Sequence, residues 1–451
     1  MRQLFFCAKD IRDYLSAVID VSEFNSVPDF DPKFPPLNDA PPIQKVLRDC
    51  MDLYEDCEQI LNAPVCMDTG VDGLRFDFNF GLRLEVPEGN FHVQIGDAVT
   101  EQIFFDRDIS DVQLISVEKF LINWHIEVFR EGVKVFEHKF NVKNRPVLIA
   151  FKKRPALGDA VAAIPSVAEF ERQTGCKLTV FLPEFLREFA ANLCPELEQV
   201  DSVRIENYAT FYLGWIIGTL PILPVDSRMV PIERVSETHL GMKLYPPKPT
   251  FKPTAPPVTD EPYVCIAVQA SAPEKGWLYP NGWDIVVDYL KSLGYRVFCI
   301  DKHATETSSK FTIRKPEAAE DFTGDLPIMH RANMLYHAEF FIGLGSGLAW
   351  VANAVNCPVV MICGFSHDWC EFDTPYRVAN RLVCNGCFND LRTLDFLYKS
   401  RCTYHDGTSR EFECQKKISP RQVLNAIERL IVDRNLTPPI LRKKLICGDN
   451  I

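Results

Sequence analysis

Four cysteines toward the carboxyl end of the chain are spaced as metal ligands. Two residues separate Cys384 from Cys387, fourteen separate Cys387 from Cys402, and eleven separate Cys402 from Cys414. A Cys-x2-Cys knuckle offers two thiolates to one ion, and two later thiolates complete a tetrahedron. The intervening stretches, Phe388 to Arg401 and Thr403 to Glu413, are polar and hold no obvious core. A bound ion replaces one, and structural zinc contributes roughly 10–16 kcal/mol of apparent binding energy to such units. With all four positions filled the ion is structural, and zinc is the default for four thiolates. His405 lies in the same stretch and is an alternative ligand.

Three other patches could serve a reaction. Phe341 to Trp350 reads Phe-Ile-Gly-Leu-Gly-Ser-Gly-Leu-Ala-Trp, an apolar strand entering a glycine turn that opens a helix. Such a turn lets backbone approach a phosphate, and free N–H groups carry about +0.5 charge at the helix start. Gly345 frees the turn; the amides of Ser346, Gly347 and Leu348 would take a pyrophosphate. Leu348 stands where the dinucleotide fingerprint needs glycine, and the Gly-Lys-Ser/Thr of a P-loop is missing. A tight turn without a ligand has the same composition. Asp159, after Gly158, begins a helix and suits either a cap or a general base. Lys275, in the Gln269 to Trp277 loop, is an exposed lysine or the cation that neutralises a leaving diphosphate. The nearby Trp277, Tyr279 and Trp283 either floor a sugar or base, or pack on the helix that starts after Asn281.

The elements that must position these groups follow from hydrophobic periodicity. Residues 1–145 form a separate β-rich unit, barrel-like or a sandwich. A helical pattern covers Ile43 to Leu61, followed by alternating runs such as Leu74-Phe76-Phe78, Leu82-Leu84-Val86 and Phe91-Val93-Ile95. From residue 146 short continuous apolar strands alternate with helices, the rhythm of a parallel doubly wound sheet. Seven prolines among residues 245–262 mark a stiff linker, after which the rhythm restarts. Two lobes, 146–250 and 251–451, thus face a cleft, the second including a metal finger over 384–414. The last helix is signalled by Ser419, Pro420 and Gln422 as N-cap, first residue and capping box. Ligands bind at the carboxyl ends of such strands, which selects the loops after Phe151, Gln269 and Leu344.

Composition narrows the class. The 451 residues call for two or three domains, and the net charge of −12 argues against sequence-independent nucleic-acid binding. Lys152, Lys153 and Arg154 are a local cluster only. No secretory signal and no ~20-residue apolar run is present, which predicts a cytoplasmic protein without a transmembrane segment. Most of the sixteen cysteines lie in apolar runs as small hydrophobes.

Several patches together resemble the bacterial autotransporter heptosyltransferases, relatives of the lipopolysaccharide heptosyltransferases. They are Gly158-Asp159-Ala160; Lys275 with Pro280-Asn281-Gly282-Trp283; Gly343 to Trp350; Glu371-Phe372 with Thr374-Pro375-Tyr376-Arg377-Val378; Val383 to Cys387; Phe412-Glu413-Cys414; and Ile418-Ser419-Pro420. The resemblance implies a GT-B fold and inverting transfer of heptose from ADP-heptose to serine hydroxyls of an autotransporter adhesin passenger. It implies Asp159 as base, Lys275 and the Gly345, Ser346, Gly347 and Leu348 loop at the donor diphosphate, and one structural iron ion on the four cysteines. It also implies a large ring-like homo-oligomer. The alternatives are a GT-B glycosyltransferase with another donor, such as a lipopolysaccharide enzyme, and a non-catalytic metal-stapled nucleotide-binding scaffold.

Overall fold

The computed structural model describes residues 5–7, 63–79, 81–116, 122–203, 206–213, 225–270, 275–392 and 401–442. The helix expected over Ile43 to Leu61 lies outside them.

Two parallel sheets carry the molecule. In the first, the strands run in space Gln199–Val200, Lys177–Phe181, Pro146–Phe151, Ala209–Leu213, all parallel. In the second the order is Glu320–Asp321, Arg296–Cys299, Tyr263–Ile266, Phe341–Leu344, Val359–Ile362, Arg377–Val378, again parallel throughout. Numbered along the chain, the first is 3-2-1-4 and the second 3-2-1-4-5-6, so strand order reverses beside Pro146–Phe151 and beside Tyr263–Ile266. Tyr263–Ile266, Phe341–Leu344 and Val359–Ile362 are buried at every residue. That explains why they read as continuous apolar runs: helices cover both faces of a parallel sheet.

The first segment is neither separate nor a closed barrel. Arg75–Asn79 pairs in parallel with Ala209–Leu213, Phe78 opposite Ala209 and Asn79 opposite Thr210. Arg83–Val86, Val112–Ser116 and Phe5–Cys7 extend the same sheet antiparallel. An open antiparallel sheet of Ile103–Ile109, Phe91–Asp97, Trp124–Arg130 and Val133–Lys139 forms a second layer. The sandwich closes on aromatics: Phe76 lies 5.1 Å from Phe136, and Phe78 4.8 Å from Phe140, ring to ring. Alternation identifies strands but not their partners. Ala209–Leu213, buried along its whole length, would otherwise be an open sheet edge.

The helices Leu157–Thr174 and Gly347–Ala354 begin at the carboxyl ends of Pro146–Phe151 and Phe341–Leu344 and pack against each other between the lobes. The last helix, Pro420–Asp433, has the expected capping box at Ser419 and Gln422 and packs Val423, Ile427 and Leu430 into the second lobe.

Candidate functional site

Both reversals of strand order meet at one cleft. The loops after Phe151 and Leu344 launch the two interlobe helices, and the loop bearing Lys275 follows Tyr263–Ile266. Two glycines allow the approach. A Cβ on Gly158 would stand 2.7 Å from Trp350 Cδ1, and one on Gly347 would stand 2.7 Å from Leu157 Cβ. Each helix start is therefore pressed against the other. Neither N-cap, Ala156 or Ser346, supplies a side-chain hydrogen bond. Two partial positive charges consequently face the cleft with their first N–H groups uncapped by side chains.

Asp159 sits two residues past the helix start, not at the cap. A carboxylate there keeps some solvent contact through the cleft but is deeply surrounded by protein. Burial pushes it up to about 6, with Lys275 acting to lower it and Glu371 to raise it. Aspartate, lysine and glutamate thus come from one helix start and two loops to one place. Lys275 holds its ammonium 5.9 Å from the Phe365 ring and 6.0 Å from the Phe388 ring.

Gly345 is needed for space: a Cβ there would lie 2.9 Å from Glu371 Oε1 and 3.1 Å from Cys363 Sγ. Ser346, Gly347 and Leu348 are half-buried at the helix start, facing Leu157 of the other lobe. Spacing alone missed Glu371 and Trp350, although both lie in patches that carry the family resemblance. Glu371 stands among polar residues, with His367, Asp368 and Asp373 nearby in the chain, so its sequence carries no spacing or burial signal of its own. Trp277 and Trp283 do not floor a ligand. They pack edge to face at 5.2 Å in the second lobe's core, and Trp277 Nε1 donates to the Ile418 carbonyl at 2.8 Å. Lys152 is buried, while Lys153 and Arg154 are exposed. Asp106 and Asp108 pair with His92 on the outer sheet, away from the cleft.

Cys384, Cys387, Cys402 and Cys414 lie in neighbouring loops and turns of the second lobe. Burial, then the neighbouring thiols of Cys387, Cys402 and Cys384, raises Cys414 above the ordinary thiol value. Cys387 is pushed up to about 12, chiefly by burial. Gly386 turns the knuckle at φ +74°, where a Cβ would strike the His367 ring. Phe412 N–H donates to Cys402 Sγ at 3.4 Å, and the Phe412 backbone is left-handed at φ 52°. Cys384, His405 and Glu413 have donor atoms within 4.8 Å of one another; among the described residues no three of the four sulfurs are that close. His405 therefore lies beside Cys384. Four thiolates, drawn together on one ion, would suit zinc or iron.

A family model described as the N-terminal domain of glycosyltransferase TibC matches residues 70–132, and one for glycosyltransferase family 9 (heptosyltransferase) matches residues 236–393. The autotransporter heptosyltransferase TibC of Escherichia coli O78:H11 is 38% identical over 378 residues, covering 82% of this chain and 92% of TibC. The inactive autotransporter heptosyltransferase BimC of Burkholderia thailandensis is 34% identical over 379 residues, 82% of this chain and 89% of BimC. The crystal structure of dodecameric iron-containing heptosyltransferase TibC with ADP-D-beta-D-heptose superposes with a TM-score of 0.76 at 36% identity, covering 82% of this chain and 99% of that one. The chain thus has an α/β glycosyltransferase fold with a mostly β amino-terminal region. Among the described residues no helix is long and apolar enough to cross a membrane.

Proposed function

The chain belongs to the autotransporter heptosyltransferase family, and from that premise we propose that it transfers heptose from ADP-heptose to serine hydroxyls of an autotransporter adhesin passenger. The observation that carries this reading is the meeting of Asp159 with Lys275 between two uncapped helix starts. Asp159 takes the proton of the acceptor hydroxyl as its oxygen bonds to the anomeric carbon. The bond from that carbon to the diphosphate breaks, and ADP leaves with the electron pair. Lys275 and the amides of Ser346, Gly347 and Leu348 meet the charge that develops, while Gly345 keeps the turn open. One displacement inverts the anomeric centre. A base held near 6 is ionised at neutral pH while retaining useful proton affinity.

In this reading the lobes adopt the GT-B arrangement, with the acceptor on the 146–250 side and the donor on the 251–451 side. Cys384, Cys387, Cys402 and Cys414 hold one iron ion per chain, which supplies a four-thiolate cross-link and no step of the transfer. Zinc is the alternative ion and His405 the alternative ligand. The protein acts in the bacterial cytoplasm as a large ring-like homo-oligomer, for which the dodecameric relative is the support.

The deciding experiment is mass spectrometry of an adhesin fragment incubated with ADP-heptose and the purified protein. One heptose per modified serine, with ADP released in equal amount, is expected; Asp159→Asn should abolish both. The 34% identity to a relative described as inactive favours a second reading, a scaffold without transferase activity. Absence of ADP release with an intact donor and passenger would select it.

A further inference from the structure

We propose that Glu371 is a positioning residue for the transfer: its two oxygens hold the Trp350 indole over Gly158 and border the Gly345 turn, and its charge faces Asp159. One oxygen, Oε2, accepts from Trp350 Nε1 at 3.0 Å. The other, Oε1, accepts from Ser366 Oγ at 3.2 Å and would be 2.9 Å from a Cβ on Gly345. The Trp350 ring in turn lies against Gly158, the residue before Asp159, and packs edge-on to Phe372 at 4.9 Å. A single carboxylate therefore touches one catalytic turn directly and reaches the other through one indole.

The cost of such a group is the argument for its role. Glu371 is 6% exposed, and among the described residues it has no ion-pair partner. Two neutral donors offset only part of the cost of burying a carboxylate, and Lys275, the cation at the same place, is not within ion-pair distance of it. A glutamine keeps one acceptor oxygen for the indole and turns an NH2 donor toward Ser366 Oγ, which can accept, so the indole contact alone does not require the charge. What the charge does is act on Asp159. Lys275, from the loop after Tyr263–Ile266, and Glu371, from the loop after Val359–Ile362, are the charged groups that face it. Lys152, Lys153 and Arg154 lie on its own strand-to-helix connection. Lys275 favours the ionised carboxylate, and Glu371 opposes it, which keeps Asp159 basic enough to take a proton from a hydroxyl.

This inference rests on Asp159 being the base, and its test separates the two. The pH dependence of kcat/KM is measured for wild type, Glu371→Gln, Trp350→Phe and Asp159→Asn, with the unfolding midpoint and assembly mass of each. Glu371→Gln keeps the indole acceptor and removes the charge. Its acid limb should move to lower pH by roughly half to one unit, with reduced plateau kcat. Trp350→Phe keeps the charge and removes the hydrogen bond; its limb should stay in place while kcat falls ~3- to 10-fold, as expected for loss of one buried hydrogen bond. A Glu371→Gln profile superimposable on wild type, alongside an inactive Asp159→Asn, overturns the role of Glu371 and leaves the base intact. Transfer surviving in Asp159→Asn overturns the base assignment, and this inference with it. Wild-type kcat and KM in Trp350→Phe overturn the positioning role even if Glu371→Gln fails to fold.

Discussion

At the scale of single residues, the cleft sets charge against burial. Asp159 is pushed up to about 6, so transfer should rise with pH through that value and level off above it. Asp159→Asn should lower kcat ~10²–10⁴-fold, the usual contribution of a positioned base. The same substitution should stabilise the fold. A carboxylate raised on folding is penalised once pH exceeds its unfolded value near 4, and the penalty is complete above about 6. The unfolding midpoint of Asp159→Asn at pH 7.5 should therefore exceed wild type, with the difference disappearing near pH 4. In the proposed mechanism Lys275→Ala removes the cation that meets the leaving group, and kcat should fall about 10²–10³-fold, the cost of one such stabilising contact. Steady-state kinetics with ADP-heptose would show an unaltered kcat if Lys275 is only a surface charge.

Among elements, the two helix starts and the 384–387 turn are coupled by contact. Gly158→Ala or Gly347→Ala forces a methyl to 2.7 Å from Trp350 or Leu157, across the lobes. Overpacking of this kind costs about 1–3 kcal/mol, so both variants should melt earlier and turn over more slowly. That turn reaches Lys275 through Phe388, which adjoins Cys387 and lies 6.0 Å from the Lys275 ammonium. Gly386 N–H also bonds to the Gly364 carbonyl, in the loop that leads to Glu371. Loss of the proposed ion should therefore be felt at the proposed donor site. Phe388→Ala should raise the ADP-heptose KM roughly 2- to 5-fold, matching a cation–π contact of ~0.5–1 kcal/mol. Cys387→Ser should abolish iron binding, read by metal analysis, and raise the same KM further. Zinc at one equivalent with no iron in wild type would defeat the iron assignment.

For the whole molecule, the amino-terminal strands are part of the first lobe's sheet rather than an appendage to it. Arg75–Asn79 covers the edge of Ala209–Leu213, and its Asp77 makes a fully buried ion pair with Arg83 at 2.6 Å. Asp77→Ala leaves a buried guanidinium without its carboxylate and should cost about 3–5 kcal/mol, measurable by denaturant unfolding. A truncation beginning at residue 146 exposes that edge. It should aggregate rather than yield a folded catalytic half, as size-exclusion chromatography would show.

What the sequence by itself determined was local. Alternating runs such as Phe91-Val93-Ile95, continuous strands such as Phe341–Leu344 and the Ser419 cap each depend on neighbours a few residues away, and each formed near its expected place. The convergence of Asp159, Lys275 and the Gly345 turn was readable because strand-to-helix loops of parallel sheets end at one face. Tertiary structure decided which strands adjoin, because pairing energy depends on partners distant in sequence. That is why Arg75–Asn79 joined Ala209–Leu213 instead of closing a barrel. It also decided the fate of Trp277 and Trp283, whose rings have no periodicity that separates core from site. Glu371 and Trp350 gained their meaning last: a carboxylate twenty-one residues from an indole touches it only once two strand-end loops converge.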